Sequence, residues 1–262
     1  MIKKVLSIIL AAGRGTRMKG YQKNKTTISL LSGYEYPIIL EILKNTPPGN
    51  KVIVVNYKKE DVFKATRHSR WVIYCEQPEL NGTGGAILAA HDILKGMAEE
   101  AVIITMGDVP LVTRRTYYNL IEGLRENELV LLGFIPEKKR QYGVLETEGN
   151  KVKRIIEWNR WKEFSEEEQE RYNICNSGIY AVNRKTLLKY IPVLHSMPHI
   201  VTKERNGVPT QIKEYFLTDL VEYMYKDGLS VGYKIADETE VMGIDDPSVL
   251  SKARGIFISK RD

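Results

Sequence analysis

The first stretch that could do chemistry follows the apolar run Val5–Leu10 and reads "AAGRGTRM" over residues 11–18. Gly13 and Gly15 would let backbone N–H groups approach a ligand closely, and Arg17 can bind two phosphate oxygens at once with its planar guanidinium. The stretch is not a Walker loop, because GxxxxGK[ST] is absent, and it lacks the third glycine of a dinucleotide-binding GxGxxG. The pattern predicts a phosphate site, with a plain strand-to-helix turn and solvated arginines as the alternative.

A second stretch, "QPELNGTGGA" over residues 77–86, carries groups suited to a nucleobase. The amide of Gln77 has both a donor and an acceptor, which matches the edge of a pyrimidine. Gly82 and Thr83 would offer backbone N–H groups at the start of a helix, and we expect Thr83 to cap that helix. A capped helix with no ligand is the alternative.

Carboxylates at two further places could hold a metal ion. Asp108 follows the apolar strand "AVIIT" in "MGDVPL", and a hard carboxylate beside phosphates is the usual way to bind Mg²⁺ with one or two protein ligands. Asp108 could equally cap the next helix. Asp245 and Asp246, in "VMGIDD", follow a strand-like stretch, and either could be a second metal ligand or part of a turn.

Two polar residues stand among strand residues in the second half of the chain. Glu157 lies in "RIIEWN" and Asn176 in "NICNSGIY". Short polar side chains of this kind are what the recognition of sugar hydroxyl groups requires.

An alternation of strands and helices must position these residues. "VLSIIL", "KVIVVNY", "WVIYCEQ" and "AVIITMGD" read as strands, while "YPIILEILKN" and "GTGGAILAAHDILKGM" each read as one helix because their apolar residues recur at a helical period. This alternation predicts an α/β fold with a Rossmann-like, mixed but mostly parallel sheet flanked by helices. Further strands in "ELVLLGFI", "GVLETEGNKVKRIIEW", "NICNSGIYAV" and "SVGYKIA" extend the sheet, with helices in "KEFSEEEQERY" and "YFLTDLVEYMYKDG".

Composition narrows the class of protein. The 262 residues are 43% hydrophobic and 27% charged, with a net charge of +6, which is typical of a globular protein that binds anionic substrates. The basic residues are scattered, so nucleic acid is not an expected partner. The two cysteines lack the spacing of a zinc site, and Cys75 is expected to be buried. With no apolar run long enough for a membrane and no signal-peptide pattern, we expect a cytoplasmic protein.

Taken together, eight stretches occur in the order and spacing of one family. They are "LAAGRGTRM", "Q…NGTGGA", "GDVPL", "YGVLE", "IIEW", "NSGIYAV", "YFLTDLV" and "VMGIDD". From Val5 to Asp246 the chain resembles the sugar-1-phosphate nucleotidyltransferases, above all the N-terminal uridylyltransferase domain of the bacterial bifunctional N-acetylglucosamine-1-phosphate uridylyltransferase/glucosamine-1-phosphate acetyltransferase.

The resemblance implies a nucleotide-diphospho-sugar transferase fold and a role for each motif. Residues 10–13 (Leu10, Ala11, Ala12 and Gly13) would hold the base and ribose, and Gln77, Gly82 and Thr83 would bind the uracil side. Gly15, Thr16 and Arg17 would hold the triphosphate. Asp108 and Asp245 would bind Mg²⁺, and Gly143, Glu157 and Asn176 would hold an N-acetylated sugar. The implied catalytic residues are Arg17, Lys25 and Asp108.

The implied reaction joins UTP and N-acetylglucosamine 1-phosphate to give UDP-N-acetylglucosamine and pyrophosphate. Alternatives are another nucleotide (dTTP or CTP), another acceptor (glucose 1-phosphate or phosphocholine), or a non-catalytic nucleotide-binding regulator. We expect one domain over 1–262, with a nucleotide-binding half (1–112), a sugar-binding half (113–246) and a C-terminal helix or tail (247–262). The oligomeric state is left open.

The chain departs from the family at several positions. No proline precedes the catalytic lysine in "YQKNKTTISLL", so Lys25 is favoured and Lys23 is the alternative. Gly85 stands where the family has histidine, Met106 where it has tyrosine, and Asp245 where the uridylyltransferases have asparagine. Because the chain stops at Asp262, the β-helix acetyltransferase domain and acetyl transfer are expected to be absent.

Overall fold

The computed structural model describes residues 4–15, 18, 21–31, 33–205 and 208–260. The first part of the chain, up to Met106, alternates strands and helices. In chain order its elements are β1 (Val5–Leu10), a 3-10 helix (Lys25–Thr27), α1 (Ile38–Asn45), β2 (Lys51–Val55), α2 (Lys59–Thr66), β3 (Val72–Glu76), α3 (Thr83–Ala89), α4 (His91–Gly96) and β4 (Ala101–Met106).

The rest of the chain adds strands to the same sheet and a hairpin outside it. Its elements are α5 (Arg114–Gly123), β5 (Leu129–Phe134), β6 (Val144–Glu148), β7 (Lys151–Ile156), α6 (Trp158–Trp161), α7 (Glu166–Glu170), β8 (Cys175–Asn183), α8 (Arg184–Ser196), β9 (His199–Arg205), β10 (Val208–Glu214), α9 (Asp219–Lys226), β11 (Val231–Ala236) and α10 (Pro247–Ser259).

The described strands form one nine-stranded sheet and one two-stranded sheet. The order in the large sheet is β3-β2-β1-β4-β8-β5-β11-β7-β6, and β9 pairs with β10 separately. Strands β1 to β4 are parallel, β8 runs antiparallel between β4 and β5, and β5 is parallel to β11. The predicted mixed α/β fold is therefore confirmed.

Burial explains why the central strands form. Every residue of β2 and β5 is buried, and β1 and β4 are buried except at their last residue, so these apolar runs are covered on both faces. In the register of β1 with β4, Leu10 lies opposite Met106. The loops that follow these two strands therefore leave the sheet side by side, at the carboxyl edge where α/β folds bind ligands.

The structure differs from the sequence prediction in several helices and one hairpin. The single helix expected over residues 82–97 is divided into α3 and α4 at Ala90, whose ψ of −1° interrupts the helix. Both parts keep the predicted apolar face, because Ile87, Ala90 and Leu94 pack in the same core. The helices α2, α6 and α8 and the β9–β10 hairpin were not predicted.

The C-terminal helix α10 returns to the first half of the chain. Leu250, Ala253 and Phe257 pack in one core with residues of α1 and β2. Arg254 donates hydrogen bonds to the carbonyl oxygen of Ser29, at 2.9 Å from Nη2. Within the described ranges, none of the helices has the length and apolar content needed to cross a membrane.

Candidate active site

The loops after β1, β3 and β4 form the walls of a cavity of about 320 Å³ at the carboxyl edge of the sheet. Its lining includes ten of the predicted site residues, together with Arg14, Thr26, Leu80, Ala86 and Met106. The ten are Leu10, Ala11, Ala12, Gly13, Gly15, Lys25, Gln77, Gly82, Thr83 and Asp108.

Lys25 is the central charge of the site. Its ammonium donates hydrogen bonds to Asp108 Oδ2 and, at 3.1 Å, to Asp245 Oδ1. The side chains of Lys25 and Asp108 are only 15% and 16% exposed. Burial by itself would lower the pKa of Lys25, but Asp108 and then Asp245 outweigh it, so the pKa is raised above 10.5. The lysine is therefore a fixed positive charge at the meeting point of two carboxylates.

Asn24 determines which lysine reaches this point. Its side chain is fully buried, and Nδ2 donates to the carbonyl oxygens of Ala11 (3.2 Å) and Tyr57 (2.7 Å). Its Oδ1 accepts from the backbone N–H of Thr26 at 3.0 Å, which caps the 3-10 helix. Lys25, the next residue, consequently points at the carboxylates, whereas Lys23 is exposed to solvent. Asn24 was missed in the sequence, although an asparagine two residues before a threonine is a known capping pattern.

Asp108 and Asp245 are brought together by a backbone contact. The N–H of Ile244, a fully buried residue, donates to the carbonyl oxygen of Asp108 at 2.9 Å. Gly107 allows the loop to pack here, because a Cβ at this position would lie 2.7 Å from the carbonyl oxygen of Leu10. Asp108 is not a helix cap: helix α5 begins after Thr113, whose side chain accepts from the N–H of Thr116.

The two carboxylates fit a magnesium site that is completed by substrate. Both are hard oxygen donors directed at one cation, the ammonium of Lys25. Among the described residues, no group of three or more His, Cys, Asp or Glu side chains could hold a metal. Mg²⁺ favours this situation, since it takes one or two carboxylates and fills its remaining positions with phosphate oxygens and water. Asp246 has a structural role instead, because its Oδ1 caps helix α10, accepting from the N–H groups of Ser248 at 2.8 Å and Val249 at 3.0 Å.

The first loop needs its two glycines, Gly13 and Gly15, for different reasons. Gly13 is exposed, and a Cβ built on it would meet nothing within 4 Å, so a ligand could lie against its backbone. Gly15 has φ +59°, and a Cβ there would lie 2.9 Å from the Cβ of Lys25. Gly15 therefore makes room for the lysine as well as lining the cavity. Thr16 and Arg17 lie outside the described residues.

The prediction that Thr83 caps a helix is wrong. Gly82 is the N-cap of α3, and no side chain caps it. Instead, Thr83 Oγ1 accepts a hydrogen bond from the N–H of Leu217 at 3.2 Å. The backbone of Tyr215 also bonds this loop. Its N–H donates to the carbonyl of Asn81 at 2.8 Å, and its carbonyl accepts from the N–H of Gly84 at 2.9 Å. We call residues 215–217 the bridging segment.

The bridging segment explains the glycines of the "NGTGG" stretch. A Cβ on Gly82 would lie 2.3 Å from the carbonyl oxygen of Tyr215, and one on Gly84 would lie 2.8 Å from it. Gly82 has φ +96° in addition. These glycines are required by the close passage of the bridging segment, a contact that nothing in the sequence pattern indicates.

A second cavity, of about 510 Å³, shares Thr83 and Met106 with the first. Glu157 and Asn176 line it, as predicted for an acceptor site. Gly143 is not among its described lining residues, but it packs directly behind them: its carbonyl accepts from the N–H of Asn176 at 2.8 Å, and a Cβ on it would lie 3.3 Å from Glu157 Oε2. We call this space the acceptor cavity and the first one the nucleotide cavity.

The polar groups of the acceptor cavity are held by neighbours. Glu157 Oε1 accepts from Thr218 Oγ1 at 2.9 Å. Burial raises the pKa of Glu157, the Thr218 bond lowers it in part, and Asp219 raises it further, so the net shift is upward. Asn176 Nδ2 donates to the hydroxyl of Tyr180 at 2.9 Å, and its Oδ1 accepts from the N–H of Gly178 at 3.0 Å. Tyr180, which the sequence analysis did not single out, thus fixes the amide of Asn176.

The comparisons with known proteins agree with this arrangement. Residues 7–157 match the family model described as the MobA-like NTP transferase domain. The chain is 31% identical over 255 residues to the "Bifunctional protein GlmU" of Ruegeria sp. (strain TM1040), covering 95% of the chain and 52% of that protein. It therefore spans about half the length of the curated relatives it matches, and the predicted resemblance is confirmed.

Two solved structures share the fold. One is a uridine diphosphate N-acetylglucosamine pyrophosphorylase from Trypanosoma brucei, with a TM-score of 0.74, 14% identity, and coverage of 95% of this chain and 64% of that one. The other is a CMP:2-keto-3-deoxy-manno-octonic acid synthetase complexed with CTP, with a TM-score of 0.65, 13% identity, and coverage of 98% and 99%. The family match covers more than half of the sequence, and the chain belongs to the MobA-like NTP transferase family.

Proposed function

We propose that the protein is a Mg²⁺-dependent sugar-1-phosphate nucleotidyltransferase that converts UTP and N-acetylglucosamine 1-phosphate to UDP-N-acetylglucosamine and pyrophosphate. The observation that carries the proposal is the ammonium of Lys25, which lines the nucleotide cavity with Asp108 and is held by Asp108 and Asp245. The comparisons support it, because the named relatives include a bifunctional GlmU and a UDP-N-acetylglucosamine pyrophosphorylase.

In the proposed complex, UTP occupies the nucleotide cavity. The backbone of residues 10–13 and the Gln77–Gly82 loop hold the base and ribose, and Gly13 leaves the main chain open to close approach. Gly15, Thr16 and Arg17 hold the phosphates. Lys25 lies at the α-phosphate, where its positive charge offsets the negative charge of the reacting groups.

The acceptor sits in the second cavity, with Glu157 and Asn176 bonded to sugar hydroxyl and amide groups and Gly143 behind them. An oxygen of its phosphate attacks the α-phosphorus of UTP, forming a new P–O bond. The bond between the α-phosphorus and the oxygen bridging to the β-phosphorus breaks, and pyrophosphate leaves with the bonding electrons on the opposite side. No covalent intermediate with the protein is needed, so catalysis consists of positioning two anions and neutralising their repulsion.

Asp108 and Asp245 would hold the Mg²⁺. When bound, the ion supplies positive charge to the phosphate oxygens of the nucleotide. Lys25, which contacts both carboxylates, would add a second positive charge beside the ion.

One observation favours a second candidate acceptor. Four aromatic residues, Tyr142, Trp158, Tyr180 and Phe216, line the acceptor cavity together with Glu157. Aromatic faces beside a carboxylate can bind a quaternary ammonium group, so phosphocholine is the alternative to an amino-sugar phosphate. Either acceptor would leave the roles of Lys25, Asp108 and Asp245 unchanged.

The test is pyrophosphate release over a grid of substrates. UTP, dTTP, CTP, GTP and ATP are each combined with the 1-phosphates of N-acetylglucosamine, glucosamine, glucose and mannose, and with phosphocholine, with and without Mg²⁺. We expect release with UTP and N-acetylglucosamine 1-phosphate, abolished by EDTA and restored by Mg²⁺. Release with phosphocholine alone would establish the second candidate instead.

Failure of all pairs would contradict the enzyme itself. If UTP still bound, the protein would be a nucleotide-binding regulator, the remaining alternative. The cytoplasm is the compartment we propose.

A further inference from the structure

The acceptor cavity supplies little positive charge of its own. Among the described residues that line it, none is a lysine, arginine or histidine, and Glu157 is acidic. Both candidate acceptors carry a phosphate group, which proteins bind through cations and directed N–H donors. Lys25 and the proposed Mg²⁺ are shared with the triphosphate of the nucleotide. A cation that serves the acceptor alone would therefore have to reach it from a neighbouring surface.

A third cavity, of about 470 Å³, adjoins the acceptor cavity and Asp245. Gln141 and Tyr142 line this third cavity and the acceptor cavity alike. Asp245, which bonds Lys25, also lines the third cavity, whereas no described residue lines both it and the nucleotide cavity. Under the proposed function the phosphate of the acceptor lies beside Asp245 when it reacts. The third cavity therefore borders that phosphate from a side that the nucleotide does not use.

Arg140 brings a guanidinium to this third cavity. Arg140 and Lys252 are the basic residues of its described lining, and Arg140 directly precedes the two residues that the acceptor cavity shares. Burial raises the pKa of Tyr142 and the charge of Arg140 lowers it in part, so the guanidinium acts on a residue that lines both cavities. Arg140 is exposed, and it forms no hydrogen bond or ion pair with the residues that the structure describes.

The carboxylates of the third cavity are engaged elsewhere. Asp245 bonds Lys25, and Asp246 caps helix α10. Glu238 Oε2 accepts from the backbone N–H of Glu137 at 3.2 Å. The guanidinium of Arg140 thus remains available for an anionic ligand.

The backbone of Arg140 has a conformation that favours glycine. Its φ is +47°, in the left-handed region that other residues seldom adopt. The turn is closed by a hydrogen bond from the N–H of Tyr142 to the carbonyl oxygen of Lys139 at 3.2 Å, and the carbonyl of Tyr142 accepts from Trp161 Nε1 at 2.8 Å. A glycine would adopt this turn at a lower cost, so the arginine is best explained by what its side chain does.

We propose that Arg140 binds the phosphate group of the acceptor from the third cavity and positions its attacking oxygen. The inference rests on the proposed function. It applies to an amino-sugar phosphate and to phosphocholine alike, because both present a phosphate monoester with three terminal oxygens. A guanidinium can hold two of these oxygens at once, which leaves the third directed at the α-phosphorus of the nucleotide.

The test is steady-state pyrophosphate release with UTP and either N-acetylglucosamine 1-phosphate or phosphocholine, whichever the unmodified protein accepts. In Arg140→Gly the acceptor KM should rise about thirtyfold, because charge-assisted hydrogen bonds are lost, while the KM for UTP stays within about twofold. Arg140→Lys keeps the charge and should raise the acceptor KM less than about fivefold. The matched control is the exposed Lys138→Ala, which should leave both KM values within about twofold.

Arg140→Gly also separates a binding role from a structural one. Glycine adopts the φ of this turn without strain, so the midpoint of urea denaturation should not fall. Arg140→Asn, whose residue type also tolerates a positive φ, is a second neutral variant and should raise the acceptor KM in the same way. An unchanged acceptor KM in both neutral variants, or an equal rise in the KM for UTP, would overturn the inference and leave the proposed reaction class standing. Absence of pyrophosphate release by the unmodified protein with every acceptor would overturn the proposed function itself.

Discussion

The nucleotide cavity and the acceptor cavity are built in different ways. The first is formed mainly by the loops that follow β1 and β3, with Lys25, Thr26 and the end of β4 completing it. The second is formed by short segments around residues 142, 157, 176 and 217, together with Thr83 and Met106. Under the proposed function, the first cavity would hold the reacting phosphates, and the second would decide what is joined to the nucleotide.

The difference between the two cavities predicts that substitutions in them will have effects of different kind and size. Changes at Lys25, Asp108 or Asp245 should reduce turnover with every acceptor. Changes in the acceptor cavity should raise the KM for the acceptor and leave nucleotide binding as it was.

The largest effect is expected from Asp108→Asn, which removes one hard ligand of the metal. Turnover should fall about a thousandfold, or about 4 kcal/mol in the activation barrier, with every acceptor. Mn²⁺ in place of Mg²⁺ gives a second readout, because electron paramagnetic resonance reports free Mn²⁺: binding in the presence of UTP should weaken in the variant. An unchanged circular dichroism spectrum serves as the folding control. A variant that keeps most of its turnover would remove Asp108 from the metal site.

Lys25→Ala should lower turnover about a hundredfold, because a fixed cation is lost from the reacting phosphate. Its matched control is Lys23→Ala, two residues earlier and exposed, which should stay within about twofold of the unmodified protein. Steady-state pyrophosphate release measures both. The reverse order of effects would transfer the catalytic role to Lys23.

Asn24→Ala tests the element that aims Lys25. The buried carbonyls of Ala11 and Tyr57 and the N–H of Thr26 would lose their partners, so the free energy of unfolding should drop by about 3 kcal/mol. Urea denaturation measures this, with the exposed Asn173→Ala as a control expected within about 0.5 kcal/mol. Equal stability of the two variants would show that Asn24 does not anchor the lysine.

The smallest effect on catalysis is expected from a substitution in the acceptor cavity. Glu157→Gln should raise the acceptor KM about tenfold while the KM for UTP is unchanged. Since the pKa of Glu157 lies above its ordinary value of 4.5, its carboxylate is lost at a higher pH than that of an exposed glutamate. The acceptor KM should therefore rise as the pH falls through this raised pKa.

The same pH series on Glu157→Gln isolates the carboxyl group. Titration of the acceptor's own phosphate affects both proteins equally, so only the difference between the two profiles reports Glu157. Identical profiles would mean that the ionisation of Glu157 does not govern acceptor binding.

Sequence reasoning was most successful where local pattern and structure coincide. The buried strands β1, β2 and β4 can be recognised in the sequence as apolar runs. A loop that directly follows such a strand must lie at the carboxyl edge of the sheet. Gln77 and Asp108 could therefore be placed near one another, while Lys25 was named only through the family resemblance, and the structure brings all three to one cavity.

The remainder depends on contacts distant in sequence. The bridging segment meets the "NGTGG" loop across more than a hundred residues, so neither the role of Thr83 nor the reason for Gly82 and Gly84 could be read from spacing. The β9–β10 hairpin had a usable local signal, an Asn-Gly pair between two extended runs at 206–207, which favours a tight turn. Helix α8 forms although it contains Pro192, a residue type that disfavours the interior of a helix.

The bridging segment also gives the two cavities a common physical contact. Its backbone bonds the loop that carries Gly82 and Thr83, and its neighbour Thr218 bonds Glu157. Whatever factor a bound nucleotide adds to acceptor affinity through this contact, the acceptor must add to nucleotide affinity, because the coupling free energy between two ligands is a single quantity. A titration with either ligand should therefore return the same factor.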